Sequence, residues 1–315
     1  MRFIPNDTRF DFFGKRRISY AVTVLFLAIA IGSLAIKGLK FGLDFTGGTL
    51  IEVSYPQSVE LEPVRAALGE RELGDALVQH FGSGRDVLVR LPPREGENQA
   101  SLSNRVLEAL KAVDPKVEMK RVEFVGPAVG KELVEAGGLA VIFVLLGILV
   151  YVGMRFEFKL AFGAIQALAH DLVIALGLVS LLGIEFDLTV LAALLALAGY
   201  SINDTIVIFD RMRENFLKMR KASPIEIMNK ATNETLSRTI MTSGTTLITV
   251  ASLLVFGGSV LHGFSLVLFI GIVMGTYSSV FVASAIALDM GLKRADLLKS
   301  DEENKDKTAE ADATP

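Results

Sequence analysis

Residues 239–288 read TIMTSGTTLITVASLLVFGGSVLHGFSLVLFIGIVMGTYSSVFVASAIAL, fifty positions without a formal charge, and His262 is their one basic side chain. A single helix of that length would be about 75 Å long, more than twice the roughly 30 Å of a bilayer's hydrocarbon. The stretch must therefore fold back, and Gly257-Gly258-Ser259-Val260-Leu261-His262-Gly263 is the turn signal. Four more runs of spanning length lie upstream. Ile18–Ile36 and Ala136–Met154 carry no charge, whereas Leu160–Ile184 and Leu188–Phe209 each enclose one acid, Asp171 and Asp204. Six spans follow, and the fold class expected is an integral membrane α-helical bundle.

Composition agrees. Of 315 residues 51% are hydrophobic and only 21% charged, and the net charge of −3 excludes a nucleic-acid binder that relies on global positive charge. The absence of cysteine excludes disulfides, thiolate metal sites and a cysteine nucleophile. His80, His170 and His262 show no zinc-binding spacing, so neither a metal nor a cofactor is expected. The first span follows Lys15-Arg16-Arg17 and contains Ser33-Leu34-Ala35, which has the look of a signal peptide. Its length and the five later spans favour a retained anchor.

Lys and Arg set the orientation. Residues 1–17 hold five, 153–159 two, 210–238 seven and 289–300 three, while 183–187 and 257–263 hold none. Both termini are expected to be cytoplasmic. The organisation expected is a cytoplasmic segment 1–17, a first span 18–36, an exported segment 37–135, spans two to six over 136–288 with a basic cytoplasmic loop 210–238, and a cytoplasmic tail 289–315. Lys299–Pro315 is polar and is expected to be disordered.

The exported segment reads as a small α+β domain. Thr49–Tyr55 alternates as a strand, Val59–Leu73 has helical apolar spacing, and Ala76–Phe81 and Asp86–Leu91 are strands around Gly82-Ser83-Gly84. Ser101–Val113 is helical again, and Lys116–Val125 alternates. The order βαββαβ predicts a ferredoxin-like arrangement. No catalytic set is visible, and His80 reads as an ordinary strand residue. Gly126-Pro127-Ala128-Val129-Gly130-Lys131 imitates a phosphate loop but is one residue short and continues with Glu132; it reads as a linker into the second span. Gly271 and Gly275 form a GxxxG that permits close helix contact. The basic loop 210–238 suits contact with lipid headgroups.

The two acids inside apolar spans carry most of the information, because a charge at that depth costs a few kcal/mol. Asp204 lies six residues, about 9 Å of helix, before Asp210, where the basic loop begins. Arg238 opens the next antiparallel span at matching depth, and its long side chain can reach inward. Ser201, Asn203, Thr205, Thr239 and Thr242 add polar groups nearby. Burial and a neighbouring guanidinium act on a carboxylate's charge in opposite senses, so Asp204 with Arg238 is a candidate proton switch. The bland reading is a static pair fixing helix register. Asp171 sits near mid-membrane. Adjacent His170 points about 100° away round the helix, so the two are not expected to form a simple pair, and structural bonding between helices stands equally beside proton relay as their role.

Five segments resemble the SecD/SecF family of bacterial protein export: Gly42-Leu43-Asp44-Phe45-Thr46-Gly47-Gly48, His170-Asp171, Gly199–Thr205, Phe209–Glu214 and Ser237–Gly244. The resemblance covers nearly the whole chain, although the exported domain is similar only in size and pattern. It implies half of an RND-superfamily bundle in the bacterial inner membrane, with SecD supplying the other half. It further implies work beside the SecYEG channel, with YajC as another partner, on unfolded preprotein in transit. The proton-motive force would drive late translocation, with protons as the coupling ion, and Asp204 and Arg238 fall on the positions the family uses for this. Asn203 and Asp171 accompany them as candidate proton-coupling residues. Asp44, Thr46, Gly47, Gly48, His170, Ser201, Thr205, Thr242, Gly271 and Gly275 are taken as motif or structural positions. No enzymatic activity is expected. The alternatives are a scaffold subunit without its own proton coupling and half of an RND efflux transporter; an exported domain of about 80 residues without tryptophan argues against the latter.

Overall fold

The computed structural model describes residues 8–81, 83–94 and 98–297. The expected tail Lys299–Pro315, part of the expected N-terminal segment and Gly82 of the expected hairpin lie outside the described residues. The chain separates into two compact units. One holds the chain up to Leu39 together with 141–184 and the residues from 192 on; the other holds 40–140 and 185–191.

The first unit is helical. Its elements are α1 (Arg16–Lys37), most of α5 (Pro127–Arg155), α6 (Phe158–Leu182), most of α7 (Leu188–Lys218), α8 (Pro224–Phe256) and α9 (Gly258–Ser278). After α9 come a π-helical segment, Ser279–Ala283, and α10 (Ser284–Asp289). Among the described residues six helices are long and apolar enough to cross a membrane, the sixth running over Val260–Asp289. Small residues let them approach closely. A Cβ on Gly177 of α6 would lie 2.3 Å from that of Ala30 on α1, and Ser33 Oγ donates to Ser180 Oγ across the same seam at 3.0 Å. A Cβ on Gly163 would lie 2.5 Å from the carbonyl oxygen of Ala283 in the π segment. Phe13, Phe209, Met212 and Phe216 are fully buried in the aromatic part of the core.

The segment before α1 is stitched to α8. Asn233 Oδ1 accepts the Phe10 N–H at 2.9 Å while its Nδ2 donates back to the Phe10 carbonyl at 2.9 Å. Asn229 Oδ1 accepts the N–H of Phe12 at 2.8 Å. The two asparagines thus satisfy backbone groups that this irregular segment leaves without main-chain partners. Residues 210–238, expected as a loop, are helical for most of their length: α7 runs to Lys218 and α8 starts at Pro224. Ser223 explains the early start, since its side chain accepts the Glu226 N–H and the Glu226 carboxylate accepts the Ser223 N–H, with Pro224 in the first turn.

The second unit carries a four-stranded antiparallel sheet of β2 (Gly48–Ser54), β3 (Leu77–Phe81), β4 (Ser83–Leu91) and β5 (Glu118–Val125), in the order β3-β4-β2-β5. The helices α3 (Leu61–Gly69) and α4 (Gln99–Val113) supply Val64, Leu68, Val106 and Leu110 to a core with Ile51, Val53, Val87, Val89 and Leu91. Each expected strand and helix of this unit is present, with α3 shorter than its apolar spacing suggested. Leu73, beyond its end, is still fully buried. Three short elements were not expected: β1 (Lys40–Phe41), a single turn α2 (Leu43–Thr46) and β6 (Glu185–Phe186), where β1 pairs in parallel with β6. The supposed linker 126–131 is the start of α5. Proline at position 127 is well suited to a first turn, and Gly130 N–H already bonds to the Gly126 carbonyl at 2.9 Å.

Candidate functional site

Asp171 is fully buried in the middle of α6. Its Oδ2 accepts hydrogen bonds from Ser201 Oγ of α7 at 2.5 Å and from Ser278 Oγ of α9 at 2.6 Å. Its Oδ1 lies 2.9 Å from His170 Nδ1. The expectation that His170 points away is therefore corrected. Successive residues do leave a helix 100° apart, but the imidazole turns about its own side-chain bonds and spans the gap. His170 Nε2 is buried without a partner among the described residues.

Glycine makes room for this junction. A Cβ on Gly275 would come within 3.2 Å of Ser201 Cβ and 3.5 Å of Asp171 Oδ2, and one on Gly271 within 2.6 Å of Leu197. The GxxxG of α9 thus packs on α7. The hydroxyl network continues into the π segment. Thr205 Oγ1 and Ser279 Oγ are 2.8 Å apart, and both bond to the Ser201 carbonyl, each at 3.3 Å. A π turn leaves backbone groups out of the regular ladder, and here Ser284 Oγ donates to the Ser279 carbonyl at 3.2 Å.

Asp204, one turn further along α7, is also buried, at 3% exposure. Its surroundings are sparser. Ser243 Oγ of α8 donates to Oδ2 at 3.4 Å and lies 2.8 Å from Thr276 Oγ1 of α9. Arg238 is exposed, and no ion pair joins it to Asp204 among the described residues. Its charge nevertheless acts on the Asp204 carboxylate without a close ion pair. Asn203 is exposed as well, and Thr242 bonds back to the Arg238 carbonyl at 3.1 Å. Thr239 is buried, with its hydroxyl unpartnered among the described residues. The single polar cluster expected around Asp204 is thus two. Ser201 and Thr205 belong with Asp171 and Ser279, while Ser243 and Thr276, together with the expected Thr242, belong with Asp204. Ser243 and Thr276, with Ser278 and Ser279, were not singled out from sequence. Their signal was there: hydroxyls spaced one turn apart in otherwise apolar helices.

The segment Asp44–Gly48 does structural work in the mixed unit. Asp44 Oδ2 accepts the N–H of Leu188, the first residue of α7, at 3.0 Å, and Asp187 Oδ1 accepts that of Val190 at 2.8 Å. Two carboxylates thereby cover the donors that a helix start leaves unsatisfied. Gly47 (φ +69°) and Gly48 (φ +118°) adopt backbone conformations that suit glycine, and a Cβ on Gly48 would lie 2.2 Å from the Leu91 carbonyl oxygen. Thr46 Oγ1 donates to the Gly42 carbonyl at 3.1 Å and accepts from Arg90.

No group of three or more His, Asp or Glu that could hold a metal ion occurs among the described residues. The architecture is that of a polytopic membrane protein with a small mixed α/β unit inserted in sequence after its first long helix. Residues 105–293 match the model of the protein export membrane protein SecD/SecF, C-terminal region, and residues 32–59 match the SecD/SecF GG motif. The protein translocase subunit SecF of Vibrio alginolyticus is 52% identical over 283 residues, 90% of each chain. That of Pseudomonas aeruginosa is 50% identical, over 91% of this chain and 94% of its own. A crystal structure of SecDF from Thermus thermophilus, described as a translocon-associated membrane protein, superposes with a TM-score of 0.82 at 42% identity over 91% of this chain. SecDF in a super-membrane-facing form gives 0.66 at 40% identity. This chain spans 39% and 40% of those two longer chains. The chain belongs to the SecD/SecF family of protein export membrane proteins.

Proposed function

We propose that this chain is an accessory subunit of the Sec protein translocase and that, paired with SecD, it uses the proton-motive force to promote late translocation of preprotein and its release. The observation that carries the reading is Asp204: a carboxylate buried in a helix long and apolar enough to cross a membrane, with a long Ser243 contact and with Arg238 and Thr242 acting on it from α8, in a chain whose relatives are translocase subunits. A carboxylate held by hydroxyls, with its guanidinium neighbour not in a close ion pair, can take up and release a proton without dismantling the surrounding core. One charge crossing 100 mV is worth about 2.3 kcal/mol. Several protons would rectify the sliding of an emerging polypeptide. Arg238, exposed on α8 one turn before Thr242, is free to approach Asp204 in another state of the cycle. Asn203 faces outward beside it.

The reading includes placement in a bacterial inner membrane, cytoplasmic termini and an exported segment 37–135, which the asymmetry of Lys and Arg supports. A ferredoxin-like exported domain is supported by the βαββαβ order and the sheet order β3-β4-β2-β5. SecD as partner is supported by the solved SecDF chains, of which this chain matches about two fifths. SecYEG, YajC and preprotein complete the assembly, and the chain acts as an energy converter, not as an enzyme. The test is proton uptake and preprotein export in vesicles carrying Asp204→Asn, Arg238→Met or Asp171→Asn with SecD present. Asp204→Asn should leave the complex assembled and abolish the proton-driven gain in export. Full export by that variant would defeat the reading and favour a scaffold.

A further inference from the structure

The mixed unit contains a tie whose two ends are both bonded. At one end, Asp44 Oδ2 accepts the Leu188 N–H at the start of α7. β6, which leads into α7, pairs with β1, and Phe45 stacks on Phe186 with ring centroids 5.7 Å apart. At the other end, the four-stranded sheet reaches out to the same ribbon. Gln79 of β3 donates to Glu185 at 2.8 Å, and Arg90 of β4 donates to the Phe41 carbonyl at 2.9 Å. Gly48 closes the tie, since its backbone lies so near the Leu91 carbonyl that no side chain fits. From Leu188 onward α7 is one uninterrupted helix, and Asp204 stands 16 residues along it, about 24 Å.

We propose that Asp44 is a positioning residue that fastens the first turn of α7 to the sheet, so that a displacement of α7 started at Asp204 is passed to the exported domain. A carboxylate suits the task. It holds a backbone N–H that would otherwise be unsatisfied, and the bond is charge-assisted and directional. The proposal rests on the reading of Asp204 given above and adds to it the route by which the sheet is moved.

The experiment uses the full chain with SecD in vesicles, with Leu77, exposed on the edge strand β3, replaced by a fluorescent noncanonical amino acid. Proton uptake and the fluorescence change are both recorded when a proton gradient is imposed. Asp44→Ala should keep uptake within about twofold of the parent and lose most of the fluorescence change, at least fivefold. Asp44→Asn, which retains one acceptor oxygen, should keep an intermediate response. An unchanged response in Asp44→Ala overturns the proposal and leaves the Asp204 reading standing. Retained uptake and response in Asp204→Asn sinks that reading and this proposal with it. Should Asp44→Ala fail to assemble, Asp44→Cys with Leu188→Cys decides the matter, because the parent has no cysteine. Joining the two thiols with a short bis-thiol reagent should restore the response, and no gain on joining them overturns the proposal.

Discussion

Asp171 and Asp204 lie in neighbouring helices of one bundle, both almost without solvent exposure, yet their surroundings differ. Asp171 meets three side chains at 2.5–2.9 Å, drawn from its own helix, α7 and α9. Asp204 accepts from Ser243 at 3.4 Å, a hydroxyl it shares with Thr276, while Thr242 and the charge of Arg238 act on it from the same helix as Ser243. The first arrangement joins three helices and leaves little capacity for change. The second holds the carboxylate by longer, looser contacts from α8.

The comparison breaks most readily at Asp171. Asp171→Leu removes the shared acceptor of Ser201, Ser278 and His170 and should cost about 3–5 kcal/mol. Thermal unfolding in detergent should show a clear drop in Tm, larger than that of Asp204→Leu; equal drops would erase the distinction. Close packing gives the next effect. Gly177→Ala drives a methyl into Ala30 and should cost about 1–3 kcal/mol in the same assay, whereas Gly147→Ala, which meets nothing within 4 Å, should be neutral. The partner hydroxyls sharpen the contrast further. Ser201→Ala should cost about 1–2 kcal/mol and Ser243→Ala less than half as much. A costlier Ser243→Ala would mean that Asp204 is anchored after all.

The smallest effect lies outside the spans and serves as a control. Hydrogen bonds from Ser54 at 2.6 Å and Ser83 at 2.5 Å hold the Asp86 carboxyl below the usual carboxylate range. A carboxylate depressed in the folded state contributes stability above its unfolded value of about 3.9, and that contribution is lost as pH falls through the folded value. Tm measured between pH 5 and pH 2 should therefore fall less steeply in Asp86→Asn than in the parent. An identical slope would remove Asp86 from the acid response.

Much of this could be read from residue order. The six long apolar helices follow from length and polarity, and the βαββαβ unit from alternation and helical spacing. The acids at 171 and 204 stand out because charge is rare among apolar runs. What the sequence did not disclose depends on three-dimensional choices. The pairing of His170 with Asp171 is set by a side-chain torsion, which spacing does not encode. The assignment of Ser201 to Asp171 instead of Asp204 turns on which side of α7 meets α6. The two-residue strands β1 and β6, whose paired residues are 145 positions apart, are too short for any periodicity, and the role of Asp44 as a cap for α7 depends on that pairing.

The clasp formed by Asn229 and Asn233 on Phe10 and Phe12 bears on how the chain is made. Its halves are 223 residues apart for the Phe10–Asn233 bond. At about 5–20 residues per second, the ribosome supplies the second half roughly 10–45 s after the first. Throughout that interval the aromatic residues ahead of the leading helix have no cognate surface, so this part of the protein can mature only late in biogenesis, and a truncation that removes α8 would leave those side chains as a target for quality control.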